Sequence, residues 1–176
     1  MDDQNVGSEQ PAQNLECRPP VQADLVSLCR ELNARNAKYV VVGGFAIIAA
    51  GLGRTTTDVD LMVAVDAENE ARVFAALATL PDNAVRELQP GELQQYNVIR
   101  VGDEILVDLM RSAGGIDYAE AAKDVVVREL DGVLIPFASP RLLWRMKVVT
   151  HRAKDAGDLY YLRHWFAERG EQPPQV

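Results

Sequence analysis

Aromatic residues are scarce, 6% of the 176-residue chain, so any core must be built mainly from Val, Leu, Ile and Ala. Two cysteines, Cys17 and Cys29, are too few for a disulfide framework or a zinc site. Cys29 shares a helical stripe with Leu25, Leu28 and Leu32, the pattern of a buried, inert thiol, whereas Cys17 lies in a polar, Pro-flanked lead-in and is expected to be exposed. Long apolar runs are missing too. The longest uncharged stretch, Tyr39 to Gly53, is too short and too Gly-rich to span a membrane. No charged-then-apolar segment opens the chain, so a cytoplasmic location is expected. Basic residues are outnumbered, 18 against 26 acidic, for a net charge of −8. That balance argues against a general nucleic-acid coat, because phosphate contacts need the opposite sign. It leaves open a local basic site, or a nucleotide held through metal ions.

What is present is an ordinary globular balance, 48% hydrophobic and 25% charged, of a length suited to one domain. Residues 1–20 are rich in Asp, Asn, Gln, Glu and Pro without an apolar period, and read as a disordered or loosely docked tail. Residues 21–176 read as a single domain. The stripe around Cys29 predicts a helix from Val21 to about Asn33. Lys38 to Val42 is a buried strand broken by Gly43-Gly44, and Phe45 to Ala50 is a short internal helix. Asp58 to Val65 is a second strand. Asp66 can cap the next helix, which carries Val73, Phe74, Leu77 and Leu80 on one face and ends at Pro81. Two hairpins follow, with Gly102-Asp103 and Asp131-Gly132 as turns, and two helices close the chain, one after Pro140 and one from about Asp155 to Arg169-Gly170. The order predicts an α/β or α+β fold with a mixed sheet flanked by helices.

The informative stretch runs from Gly43 to Leu61. It holds no GxGxxG and no Lys-Ser/Thr after its glycines, so it is neither a Rossmann fingerprint nor a P-loop. It offers instead a strand, a Gly-Gly turn whose bare amides an anion can approach, a helix start, and then two aspartates. Asp58 and Asp60 alternate with Val59 and Leu61, so both carboxylates face one way while the apolar pair faces the core. Two such charges repel unless a cation sits between them, and Mg²⁺ favours a carboxylate pair completed by substrate phosphates. Asp108 stands inside an apolar strand, ILVDLM, where a carboxylate is costly unless paired or metal-bound. Beside the first pair it would complete a cluster able to hold two metal ions. The alternative is an ion pair with Arg100 or Arg111.

Gly-Gly, thirteen residues, DxD and a later strand aspartate together resemble the nucleotidyltransferase fold of the DNA polymerase β superfamily. Within it the chain resembles small bacterial members related to AbiEii-type toxins and antibiotic nucleotidyltransferases, over about residues 36–165. The resemblance implies transfer of a nucleoside monophosphate from an NTP to a hydroxyl, with two Mg²⁺ ions or Mn²⁺ in their place. It implies that Gly43 and Gly44 lie under the β/γ-phosphates, that Asp58 and Asp60 ligate both metals, and that Asp108 ligates the catalytic metal. It also implies a lysine near the nucleotide in the helix after Pro140, here Lys147. The chain departs from the common Gly-Ser by having Gly-Gly followed by Phe45. Thr55, Thr56 or Thr57 can supply the missing hydroxyl, and Thr57 is the one assigned to the nucleotide.

Other residues have plainer readings beside the functional ones. Arg54 is placed either to touch phosphate or to anchor its loop to Asp58 or a helix end. Lys147, His151 and Lys154 are spaced to share one helix face, with Lys154, Asp155 and Asp158 expected to form a Lys–Asp clasp between the last two helices. Trp144, Tyr160, Tyr161 and Trp165 are expected to fill the helix interface rather than stack a base. Three acceptors fit: an antibiotic-like small molecule, a tRNA 3′ end, or a partner protein. The competing function is a non-catalytic nucleotide-binding or toxin–antitoxin interaction protein of the same fold. No membrane partner is expected, and the oligomeric state is not legible.

Overall fold

The computed structural model describes residues 16–176. Helix α1 (Gln22–Ala34) buries Leu25, Leu28, Cys29 and Leu32, the stripe that its sequence period sets. Strand β1 (Tyr39–Val42) is buried throughout and runs straight into the short helix α2 (Gly43–Ala49). Strand β2 (Val59–Val63) leads to α3 (Ala67–Leu77), where the Asp66 side chain accepts the Asn69 amide at 2.9 Å. A 3₁₀ turn (Ala84–Glu87) and a single helical turn, α4 (Glu92–Gln95), connect to the hairpin β3 (Val98–Gly102) and β4 (Leu106–Met110).

A two-residue ribbon, β5 (Ser112–Ala113) with β6 (Ile116–Asp117), and one turn of helix, α5 (Tyr118–Ala121), precede the hairpin β7 (Val125–Leu130) and β8 (Val133–Ala138). Helices α6 (Pro140–Val148) and α7 (Ala156–Glu168) close the chain, joined through a 3₁₀ turn at Ala153–Asp155.

The main sheet has six strands in the order β3-β4-β2-β1-β8-β7. It is mixed: β2 pairs parallel with β4 and β1 parallel with β8, while β1–β2, β3–β4 and β7–β8 are antiparallel. β1 and β2 lie in the middle and are almost wholly buried, as a sheet covered on both faces requires. The architecture is therefore α+β with a mixed sheet flanked by helices, as the element order predicts.

Three local expectations change. The first hairpin does not turn on Gly102-Asp103. Gly102 pairs with Leu106, so the connection is Asp103-Glu104-Ile105. Asp103 is buried there, and its carboxylate accepts the amides of Asp82, Ala84 and Glu104 at 2.8–2.9 Å, tying the preceding loop to the hairpin. The second hairpin does turn on Asp131-Gly132, with φ of 49° and 76°, the type I′ geometry that favours this pair. Second, α6 stops at Val148 and His151 has φ of 50°, so Lys147, His151 and Lys154 do not share a helix face. Third, Tyr160 is 69% exposed, whereas Trp144 is buried edge-on to Phe166 and the Tyr161 hydroxyl donates to the Ala50 carbonyl at 2.7 Å.

Of the expected tail, residues 1–15 lie outside the described residues. Residues 16–20 run along the first hairpin. The Arg18 amide donates to the Glu104 carbonyl at 3.0 Å, its guanidinium pairs with Asp24 at 2.7 Å and Glu104 at 2.9 Å, and Pro20 is buried.

Candidate active site: a carboxylate row across the sheet

Strand register puts the acidic residues together. Asp60 on β2 stands directly beside Asp108 on parallel β4, and Asp108 stands directly beside Arg100 on antiparallel β3. On the other flank Asp60 opposes Val42, the last residue of β1. The row Arg100–Asp108–Asp60–Val42 thus crosses four strands and ends where α2 begins. Asp58, two residues before Asp60, joins from the same strand end. One carboxylate oxygen from each of Asp58, Asp60 and Asp108 lies within 4.8 Å of the others.

Such a cluster is electrostatically expensive. Burial, and then the charges of Asp58 and Asp108, push the Asp60 carboxyl up to about 7, against a weaker pull from the Gly44 backbone and Lys147. Asp108 has only 6% of its side chain exposed and is held by Arg100 in a two-pronged pair, Nε to Oδ1 and Nη2 to Oδ2, both at 2.9 Å. Hydrogen bonding to Asp108 in turn raises the Arg100 guanidinium above its ordinary value. The two readings of Asp108 are therefore both realised: it belongs to the acidic cluster and it is ion-paired. Arg111 instead donates to the Gln94 carbonyl at 2.7 Å.

The glycines fit tightly around this row. Gly43 has φ of 61°, and a Cβ there would lie 2.0 Å from Asp60 Oδ2. At Gly44 a Cβ would come within 2.3 Å of Thr56 Oγ1 and 3.1 Å of Arg54 Nη2. The left-handed backbone thus falls on Gly43, not Gly44, and both glycines are demanded by neighbouring side chains whether or not phosphate binds. Thr56 is buried and donates to the Asp58 carbonyl at 3.1 Å, which fixes the approach to β2. Thr57 is exposed beside it.

A cleft of about 390 Å³ opens over the row. Every residue nominated from the sequence lines it: Gly43, Gly44, Arg54, Thr57, Asp58, Asp60, Asp108 and Lys147. Lys147 is buried and its Nζ is committed to Asp155 Oδ1 at 2.8 Å and Asp158 Oδ2 at 2.9 Å. It is therefore the lysine of the expected clasp, a place that the sequence assigned to Lys154, which is exposed. Arg54 pairs with Asp158, so its loop is anchored to α7. Arg152 Nε meets Asp155 Oδ2 at 2.9 Å. Burial works to raise the Asp155 carboxyl, but the Lys147 hydrogen bond and charge, with Thr150 and Arg152, hold it below its ordinary value. Deleting one member of such a buried network typically costs about 3–5 kcal/mol.

Sequence reasoning missed Arg152 and the apolar wall of Val98, Met110, Leu143 and Met146. Leu143 and Met146 share a face of α6, but β3, β4, α6 and the link after α6 that carries Arg152 are separate segments, and no spacing signal joins them. Arg100 was identifiable only as an alternative partner for Asp108, because its position depends on the hairpin register.

With this geometry in place, known structures can be compared. A nucleotidyltransferase-like antigenic protein from Paracoccidioides brasiliensis superposes with a TM-score of 0.51 and 20% identity, covering 85% of this chain and 78% of that one. The chain has a nucleotidyltransferase fold. A Thermotoga maritima structure described as a nucleotidyltransferase gives 0.49 at 18% identity, covering 86% and 98% of the two chains. The antibiotic-resistance factor ANT(2'')-Ia gives 0.41 at 16%, covering 85% and 95%. No protein-family model matches the chain, and no curated protein matches it. Among the described residues, no helix of this nucleotidyltransferase-fold chain is long and apolar enough to cross a membrane.

Two outcomes follow from the electrostatics. Asp60 has a folded pKa raised above its unfolded value, so its contribution to stability is present at low pH and is lost as pH climbs through about 7. Metal-free protein should therefore lose melting temperature, relative to Asp60→Asn, between about pH 4 and about pH 7. Added Mg²⁺ should restore it at the upper end and do little at the lower, where a proton already holds the site. Differential scanning fluorimetry across that range checks both. Separately, a cation at Asp108 competes with Arg100 for the same carboxylate charge, so Arg100→Ala should tighten nucleotide-free Mn²⁺ binding by about tenfold or more, read by electron paramagnetic resonance.

Proposed function

We propose that this chain is a Mg²⁺-dependent nucleotidyltransferase, moving a nucleoside monophosphate from an NTP to a hydroxyl acceptor. The observation that carries the reading is the Asp58–Asp60–Asp108 cluster, three oxygens within 4.8 Å at the floor of a cleft whose walls hold Arg54, Lys147 and Arg152. The donor set is all carboxylate oxygen, the chemistry that suits Mg²⁺ or Mn²⁺ rather than zinc. The Asp60 carboxyl, pushed up to about 7, is a group that a divalent cation would deprotonate and bring to order.

In this reading Asp58 and Asp60 would hold both ions and Asp108 would help hold the catalytic one. The ions, when bound, supply charge stabilisation at the α-phosphate and lower the pKa of the acceptor hydroxyl. The acceptor oxygen bonds to the α-phosphorus as the bond to the β-phosphate bridging oxygen breaks, and pyrophosphate leaves with that electron pair. Asp108, once parted from Arg100, would help activate the acceptor hydroxyl. Gly43 and Gly44 line the foot of the cleft, Thr57 lies along it with an exposed hydroxyl, and Arg54 and Lys147, paired with Asp158 and Asp155, place cationic groups in its wall. The wall of Val98, Met110, Leu143 and Met146 gives an apolar surface for a base or an acceptor.

One observation favours a second reading. Arg100 already neutralises Asp108 with two hydrogen bonds, as a protein that binds nucleotide without turning it over would allow. Such a protein would serve as a nucleotide-binding or toxin–antitoxin interaction module.

Calorimetric titration with the four NTPs, with and without Mg²⁺, tests the binding common to both readings. Affinity should require the cation and should be lost in Asp60→Asn. Asp108→Asn should keep most of the affinity while pyrophosphate release falls about 100-fold or more. Nucleotide binding with no release for any acceptor hydroxyl supports the second reading, and cation-independent binding contradicts the first.

A further inference from the structure

The sheet ends at β7, an edge guarded against pairing by the charged side chains of Arg128 and Glu129 alone among its described residues. Among the described residues it spans Val125–Leu130 without proline, bulge or covering helix, and its middle four residues are exposed. Val126 is 38% exposed, Val127 56% and Leu134, on the neighbouring strand, 58%. Among the described residues, Lys123, Arg128 and Glu129 make no ion pair, unlike most charged residues around the cleft.

We propose that β7 is the contact through which two copies of this chain pair antiparallel about a two-fold axis, joining their sheets edge to edge. The argument rests on register and charge. In the β7–β8 hairpin, Leu130 and Val133 close the type I′ turn, so Leu130, Arg128 and Val126 exchange hydrogen bonds with β8. The amide and carbonyl of Val125, Val127 and Glu129 point the other way, to the open edge. An antiparallel partner must place its own outward residues opposite these, so the two-fold has to fall on a residue and not between two.

The available centres are Arg128, Val127 and Val126, and the side chains choose among them. Centring on Arg128 sets two guanidiniums face to face. Centring on Val127 sets Val126 opposite Arg128 and Val125 opposite Glu129, mixing apolar with charged. Centring on Val126 sets Val125 opposite Val127 twice over, and Val126 opposite its own copy. The same register brings Arg128 opposite Asp124 of the second copy, and leaves Glu129 facing the turn before that copy's β7, where the long side chain of Lys123 can meet it. The segment Lys123-Asp124-Val-Val-Val-Arg128-Glu129 is charge-complementary to its own reverse, basic meeting acidic at both ends around three valines. An isologous two-fold contact requires that property, and a strand meant to stay solvated does not.

The chain already extends the ladder in this direction. The Ser139 amide donates to the Asp124 carbonyl at 3.1 Å, so residue 124 lies in line with β7. The candidate active site is formed on β3, β4, β2 and β1, and leaves this far edge free.

Sedimentation velocity on the full chain tests the pairing. The wild-type protein should be a dimer in reversible exchange with monomer. Val127→Pro removes an outward amide that β8 does not use, since Val127 faces Pro136 in a pair without mutual hydrogen bonds. It should give a monomer with an unchanged far-ultraviolet circular dichroism spectrum. Lys123→Glu should weaken the dimer about tenfold or more by setting Glu against Glu, and Lys123→Glu/Glu129→Lys should restore it. The two charge variants are exposed and keep the test valid should the proline variant fail to fold. A wild-type protein that stays monomeric at about 100 µM, or a dimer indifferent to Lys123→Glu, overturns the proposal.

Discussion

Three carboxylates held within 4.8 Å of one another set the terms for the rest of this molecule. Mutual repulsion at that distance, on the floor of a cleft, disfavours the fully charged state, and the chain answers in two ways. Asp60 takes up a proton more readily than a free aspartate, driven first by burial and then by Asp58 and Asp108. Asp108 borrows a counter-ion from the next strand, Arg100, in a two-pronged pair. Neither answer is as good as a divalent cation, which would satisfy all three groups at once. The site is thus held in a compromise that a divalent cation would relieve.

The surrounding architecture serves that compromise. Parallel pairing of β2 with β4 puts Asp60 beside Asp108, a juxtaposition that a register slip of one residue would abolish by turning one side chain to the other face. The left-handed backbone at Gly43 lets the start of α2 come close to Asp60 where any side chain would collide with it. On the opposite wall, Lys147 with Asp155 and Asp158, extended by Arg54 and Arg152, fastens α6, α7 and the loop before β2 into one frame of three cations and two carboxylates. That frame costs desolvation, and it fixes cationic groups at the cleft without leaving them free to wander. Positive charge near the cluster is therefore rigid, which suits recognition of an anion of defined shape.

How much of this could be read from the sequence depended on range. The helical stripe around Cys29, the Asp66 cap, the Asp131-Gly132 turn and the DxD alternation are local patterns, and each appears where its spacing puts it. Asp108 was legible because a carboxylate in an apolar strand demands an explanation. What was not legible depends on contacts between distant segments. Lys147 rather than Lys154 fills the clasp because α6 ends at Val148 and the chain turns through His151, a change of direction that helical spacing cannot anticipate. The first hairpin turns one residue later than Gly102-Asp103 because the Asp103 carboxylate is needed by the loop at Asp82 and Ala84. The glycines were nominated for phosphate, yet their neighbours Asp60 and Thr56 already require them.

The most direct measurement of the central claim is anomalous diffraction from crystals grown with Mn²⁺ and a non-hydrolysable NTP analogue. The account predicts anomalous density among the Asp58, Asp60 and Asp108 carboxylates, Arg100 released from Asp108, and the triphosphate lying over Gly43 and Gly44 toward Arg54 and Lys147. Manganese absent from the carboxylates, or a triphosphate bound elsewhere with Arg100 still on Asp108, would contradict it.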